Sequence, residues 1–220
     1  MKMLVVFEKS PRLRLIGHLD LMRAMQRALR RSDLPIRYSQ GFNPHILLTF
    51  AAPLSLGMPG KREIMEVPID GEMAPEIFRD RLSAVLPGDL SIVSVRPVED
   101  THPASMAVMK AALYGFAFDA PVPELEEKLE AFLAQSEIMA LRRTKTGEKM
   151  CDIRPMIYGA GFQEHRLLAT LAISESATCK AELFLTALCG FAGVDKPHCL
   201  ISRLQLFGER DGVLIPLEDA

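Results

Sequence analysis

Residues 17–50 read GHLDLMRAMQRALRRSDLPIRYSQGFNPHILLTF, from Gly17 to Phe50, and the pattern within them decides the fold of the first half of the chain. At about 100° per residue, Leu21, Met22, Met25, Ala28 and Leu29 share one arc of a helix and predict a core-facing stripe. Arg23, Arg27, Arg30 and Arg31 fall on the opposite arc with Asp20. Gly17 marks a cap region, and Asp20 in the first turn suits the positive end of the helix dipole. The helix must end before Pro35, because a residue preceding proline is pushed out of the α region. Four guanidiniums near a single carboxylate leave a positive stripe. Forked donors of this kind match phosphate oxygens two at a time. The same stripe also reads as an ordinary solvated face.

The loop after the helix, Tyr38 to His45, narrows the choice. Ser39, Gln40, Asn43 and His45 supply short polar groups, and Pro44 fixes one bend. Gly41 permits a positive φ or a close backbone approach. Phe42 is either a plug into the core or a stacking platform for a base. A basic helix followed by polar side chains, a glycine and an aromatic is what a nucleotide-contacting loop requires. A tight structural turn has the same composition. His18 lies on the apolar side of the helix, where a buried, hydrogen-bonded histidine is the ordinary case. With His45 it is also the candidate for moving a proton.

Outward from this stretch, Met3–Phe7 predicts a strand, and Lys9, Arg12 and Arg14 add to the basic surface. Ile46–Phe50 predicts a second strand and Ala51–Pro59 a connecting loop. Arg62–Ile69 alternates, which places Ile64, Val67 and Ile69 inside and Glu63 and Glu66 in water. Met73–Leu86 carries Ile77, Leu82, Val85 and Leu86 at helical spacing, and Asp89–Val95 predicts a fourth strand. Strand, helix, strand, strand, helix, strand is the split βαβ or ferredoxin-like order. It implies an antiparallel sheet with helices on one face and the other face free to bind. After a linker at Pro97–Pro103 the order recurs: strand Ala107–Phe118, helix Val122–Ser136, a hairpin of Met139–Thr146 and Met150–Ile157, strand Leu167–Ile173, helix Lys180–Ala192 and strand Leu200–Phe207. The fold class expected is therefore α+β, with two tandem ferredoxin-like domains at 1–98 and 105–220.

The second half has its own basic cluster, Arg142, Arg143, Lys145, Lys149 and Arg154, at and just after the hairpin. Strand alternation turns Arg142 and Arg143 to opposite faces, so one ligand cannot meet both. A hairpin of this kind grips a phosphate backbone or protects a sheet edge.

The 220 residues are 49% hydrophobic and 25% charged, with net charge -2. Residues 1–50 hold nine cations against three anions, a balance of +6, which leaves -8 for the remainder. Charge concentrated in this way marks a directed surface. Cys151, Cys179, Cys189 and Cys199 form no C-x-x-C pair, so neither structural zinc nor an iron–sulfur cluster is expected from this chain. No metal and no cofactor is expected. Reduced thiols, the lack of an apolar leader and the lack of a run of about 20 apolar residues point to a cytoplasmic protein off the membrane.

On GHLDLMRAMQRALRR followed by LPIRYSQGFNPH, and on the later RRTKTGEKMCDIRPMI, the chain resembles the bacterial radical-SAM-linked proteins, a family of unknown function. The resemblance implies a partner radical-SAM enzyme encoded nearby that carries the cluster this chain lacks. It implies no catalytic residues. Tandem ferredoxin-like domains with a histidine near the first helix are also similar in architecture to CRISPR-repeat-processing endoribonucleases, although the glycine-rich loop near their C-terminus is poorly matched by Gly190 and Gly193. Three functions follow. The first is an RNA-binding accessory module serving the radical-SAM partner in tRNA or rRNA modification. It would hold phosphates through Arg23, Arg27, Arg30 and Arg31 and a nucleotide through Ser39, Gln40, Gly41, Phe42, Asn43 and His45. The second is a metal-independent RNA-processing enzyme using His18 or His45. The third is a protein adaptor for the partner with no RNA contact.

Overall fold

The computed structural model describes residues 1–144, 147–174 and 177–220; the side chains of 143 and 144 lie outside the description. The fold is α+β, with mostly antiparallel strands and, among the described residues, five α-helices. The chain divides into two compact units, Met1–Met109 with Gln205–Ala220, and Lys110–Leu204.

The first unit contains β1 (Lys2–Lys9), α1 (His18–Arg31), β2 (Thr49–Phe50), β3 (Gly60–Pro68), α2 (Pro75–Ser83), β4 (Leu90–Val98) and the single turn α3 (Ser105–Val108). β1 lies between β4 and β3, antiparallel to both, and β2 pairs with β3. Met3, Val5 and Phe7 of β1 and Met65 and Val67 of β3 face Leu21, Met25, Ala28 and Leu29 of α1 and Phe78 and Leu82 of α2 in one core. The helical period of α1 therefore reads correctly. In α2 Leu82 is inside as expected and Phe78 joins it, while Ile77, expected inside, is exposed. Ile46–Phe50 forms a regular strand only at Thr49–Phe50, and Ile46 makes an isolated bridge to Tyr38.

The expectation of a free second sheet face fails in this unit. Leu4, Val6 and Ile64, on the face away from the helices, are about as buried as the core. Two segments of the same unit account for this. Residues 99–108 fold back, with the His102 carbonyl accepting from Lys2 and Ser105 bonding Glu66. The C-terminal stretch brings Leu217 and Ala220 against Gly208, and Glu218 against Arg62. Glu66 is consequently 6% exposed; Glu63 is 2% exposed on the opposite face, although both were expected in water. Glu63 sits opposite Phe7, on the helix-bearing side.

The second unit contains β5 (Ala111–Phe118), α4 (Pro123–Leu133), β6 (Met139–Thr144), β7 (Gly147–Asp152), β8 (Ile157–Gln163), β9 (Arg166–Ala172), α5 (Ala181–Ala192) and the start of β10 (Cys199–Arg210). The rest of β10 and β11 (Val213–Pro216) complete the first unit. The strand order in the second unit is β10-β5-β9-β8, and β6 and β7 form a separate hairpin. Leu125, Leu129 and Phe132 of α4 and Phe184, Leu185 and Leu188 of α5 are buried, with Phe184 against Phe116 and Phe132.

Three sequence expectations shift here. The strand expected from Ala107 starts at Ala111, because residues 105–108 make a helical turn. The arm expected over Met150–Ile157 stops at Asp152. A turn at Arg154–Met156 then leads into β8, a strand not anticipated.

Candidate functional site

The arginines of α1 divide by what they touch. Arg23 pairs with Asp20 at 3.1 Å on the exposed surface, an interaction worth roughly 0.3 to 0.5 kcal/mol. Arg31 reaches past the helix end to donate to the Val85 carbonyl at 2.9 Å. Among the described residues, Arg27 and Arg30 are exposed and make no hydrogen bond or ion pair. They are the guanidiniums of the row without a partner among the described residues.

Three other cations of the first fifty residues are used internally, and of these Lys9 was expected to add to the basic surface. Lys2 pairs with buried Glu66 at 2.9 Å. Arg37 bonds Asp70, Asp100 and the Ile69 carbonyl. Lys9, expected on the surface, is 1% exposed. Its ammonium donates to the carbonyl of Ile16 at 2.8 Å, and at 3.5 Å to those of Arg14 and Met58. Burial lowers its pKa, partly opposed by Glu63. The positive surface is thus concentrated in Arg12, Arg14 and α1.

The loop is a closed hairpin. Arg37 and Leu47 are joined through a backbone bond, Tyr38 bridges Ile46, and the Ser39 N–H donates to the His45 carbonyl at 2.8 Å. The Ser39 Oγ accepts from the His45 backbone N–H at 3.0 Å and lies 2.8 Å from His45 Nδ1. Inside this clamp Gly41 adopts φ 126°. Phe42 stands at the tip with 106% exposure, which decides between plug and platform in favour of an exposed ring. Gln40 and Asn43 flank it, exposed. His18 is half-buried, with its ring edge-on to Phe50 at 5.3 Å. His45 belongs to the clamp, and each histidine thus has its own packing environment.

The second basic cluster is dispersed. Arg154 donates to the carbonyls of Leu133 and Ile157, closing the end of α4. Arg142 and Lys149 are directly opposite on the hairpin and exposed, and Arg143 is opposite Glu148. Like charges facing each other across a strand pair are destabilising without an anion between them. Lys145 lies outside the described residues.

Sequence reasoning missed two features. The lysine lock at Lys9 has no sequence signal, because a lysine ending a strand ordinarily reaches water. The other is a set of exposed apolar side chains, Leu15, Ile16, Leu19 and Leu56. The Lys9 bonds and the bond from the Gly57 N–H to the Arg14 carbonyl tie their loops together. The two described concavities lie elsewhere. One is lined by Met1, Pro97, Val98, Glu99, Thr101 and His102, the other by residues of β5, β8 and β9. Among the described residues, no cluster of histidine, cysteine or carboxylate is arranged to hold a metal ion, and no helix is long and apolar enough to cross a membrane.

A family model described as an uncharacterised protein conserved in bacteria, DUF2344, matches residues 2–183. The chain belongs to this family. No curated protein matches it. The matched range of DUF2344 includes α1, the Phe42 loop and the β6–β7 hairpin.

Proposed function

We propose that this DUF2344 chain is an RNA-binding accessory module built from two tandem ferredoxin-like units, acting with a radical-SAM enzyme in tRNA or rRNA modification. The strand orders support the architecture. β4-β1-β3-β2 and β10-β5-β9-β8 both place the last strand of a split βαβ unit beside the first and the third beside the second. The radical-SAM partner rests on the resemblance of the GHLDLMRAMQRALRR and SQGFNPH segments.

The observation that carries RNA binding is the bare phenyl ring of Phe42 on a hydrogen-bonded clamp, in the same unit as the unpaired Arg27 and Arg30. Leaving a phenyl ring in water forgoes about 2 kcal/mol of burial. Stacking on an unpaired base recovers about 1 to 3 kcal/mol. Arg27 and Arg30 supply phosphate contacts.

The chain contains no tryptophan, so Phe42→Trp introduces a single indole. Titrating that variant with a single-stranded oligoribonucleotide should quench its fluorescence by stacking. Arg27→Ala with Arg30→Ala should lower the slope of log affinity against log salt by roughly 1.4 for single-stranded RNA. An unquenched indole together with an unchanged salt slope rejects this surface as the RNA contact.

A second reading, the protein adaptor, is favoured by the exposure of Leu15, Ile16, Leu19 and Leu56 on two loops joined by the bond from the Gly57 N–H to the Arg14 carbonyl, since contiguous exposed apolar side chains mark interaction surfaces. Co-purification with the radical-SAM partner that is lost in Leu19→Glu, Leu56→Glu, without any RNA retention, supports it.

A further inference from the structure

β8 is an edge strand, with β9 as its neighbour in the sheet. Its turn to β9 consists of Glu164 and His165, both at positive φ, and pairs Gln163 with Arg166. A two-residue turn of this type makes its flanking residues a hydrogen-bonded pair, and the pattern alternates along the strand. Gln163, Gly161 and Gly159 therefore bond inward to β9. Ala160 and Phe162 turn their N–H and C=O groups outward, and Tyr158 turns its carbonyl outward.

Edges are ordinarily blunted by charge, by proline or by shortness. β4, at the end of the first unit's strand order, carries Arg96 and Pro97, and β2 has two residues. β8 has none of these devices between Tyr158 and Gln163, where the sequence is Tyr-Gly-Ala-Gly-Phe-Gln. Its one bulge, a further device of this kind, lies at Tyr158 between Ile157 and Gly159, and the strand is regular from Gly159 to Gln163. Tyr158, Gly159, Gly161 and Gln163 are exposed.

The five residues Tyr158 to Phe162 are symmetric about Ala160. Antiparallel pairing with an identical strand sets Ala160 against Ala160, Tyr158 against Phe162 and Gly159 against Gly161. The two Ala160 residues exchange both backbone bonds, and each Phe162 N–H meets a Tyr158 carbonyl. No charge repels its own copy along these five residues.

We propose that β8 pairs with β8 of a second copy of this chain about a two-fold axis at Ala160, joining the two β10-β5-β9-β8 sheets edge to edge. A closed two-fold interface is the commonest form of self-association. α4 packs over β8 and exposes Glu124, Glu126, Glu127 and Glu130 with one cation, Lys128, which lies 3.5 Å from Glu127. The dimer therefore brings two acidic helices to one edge and tightens with added salt. RNA binding weakens with salt, so the two proposals fail separately.

The test is sedimentation equilibrium of the full chain across micromolar to sub-millimolar concentration, at low and high salt. A Cβ at Gly159 or Gly161 meets nothing, and neither glycine has a positive φ, so charged side chains there leave the fold intact. Gly159→Asp with Gly161→Asp sets carboxylates against each other across the axis, and the dimer should be lost. Gly159→Asp with Gly161→Lys sets opposite charges against each other, and the dimer should return. A wild-type chain that stays monomeric overturns the proposal. So does a dimer that survives the double aspartate, and so does an aspartate–lysine variant that stays monomeric. Circular dichroism of each variant confirms that the comparison is between folded chains.

Discussion

Lys9 and Glu66 are charged groups folded inside the first unit, and each is kept there by specific partners. The Lys9 ammonium holds the carbonyls of Arg14, Ile16 and Met58. Lys9→Met fits the buried stem but removes all three bonds, and hydrogen bonds to a charged group are worth about 1.5 to 3 kcal/mol. Urea unfolding should show a loss of about 2 kcal/mol, with the loops carrying Leu15 and Leu56 exchanging amide hydrogens faster. At Glu66, burial alone would raise the carboxyl pKa, but the bonds from Ser105 and Lys2 outweigh it and the net shift is downward. A depressed carboxylate contributes stability that is complete above its ordinary pKa and lost as pH falls through the lowered one. Glu66→Gln should cost about 3 kcal/mol at neutral pH, because it leaves Lys2 buried without a counter-charge. The gap to wild type should narrow on the acid side, as read from urea midpoints against pH. Neither residue was legible beforehand. Alternation assigns a face to Glu66, but whether that face is covered depends on Ser105, which is 39 positions away in sequence.

At the scale of elements, the sequence is most legible where one period holds over many residues. α1 carries its apolar and arginine arcs for its whole length, and its buried set is the predicted one apart from half-buried Met22. The Phe42 loop could be located but not oriented, since Gly-Phe-Asn-Pro suits either a plug or a platform. β8 went unread because Gly159, Ala160 and Gly161 lack the branched and aromatic side chains that signal a strand. Its turn was equally hidden, because the two left-handed positions hold Glu164 at φ 47° and His165 at φ 63° in place of asparagine and glycine. An ordinary side chain in that region costs about 1 to 2 kcal/mol. Glu164→Asn with His165→Gly should therefore raise the stability of the second unit by about 1 kcal/mol, seen as a higher thermal midpoint. Asp211 and Gly212, at φ 52° and 78°, join β10 to β11. There the Asp-Gly pair carries the ordinary hairpin signal, which went unread. In the hairpin β6–β7, Arg142 facing Lys149 is the element-level argument for an anion. Lys149→Glu should stabilise the free protein by relieving that repulsion, by about 0.5 kcal/mol. If the hairpin contributes to RNA binding, the same change weakens it, and thermal midpoint and affinity move in opposite directions.

For the molecule as a whole, the first unit is discontinuous in sequence: Gln205–Ala220 belongs with Met1–Met109. Leu217 is 2% exposed, and Glu218 bonds Arg62 and Gln205. A Cβ on Gly208 would meet the Ala220 Cβ at 2.5 Å, so this stretch and β10 are in direct contact. Residues 211–220 therefore cover part of the face that a one-sided sheet would leave to solvent, and the first unit needs them although they lie far from β1 and β3 in sequence. A chain ending at Arg210 loses β11 and the residues around Leu217. Its first unit should unfold at lower urea than in the full chain, while the second unit, whose residues all precede the cut, should keep its midpoint. Amide exchange resolved by residue separates the two, with faster exchange in β3 and unchanged rates in β5 and β9. Equal slowing or equal acceleration in both units would show that the C-terminal stretch stabilises the chain by some means other than covering β3. The arginine row on α1 lies on the helix-bearing side and its exposure does not depend on residues 211–220. RNA affinity measured below the unfolding range should therefore survive the truncation.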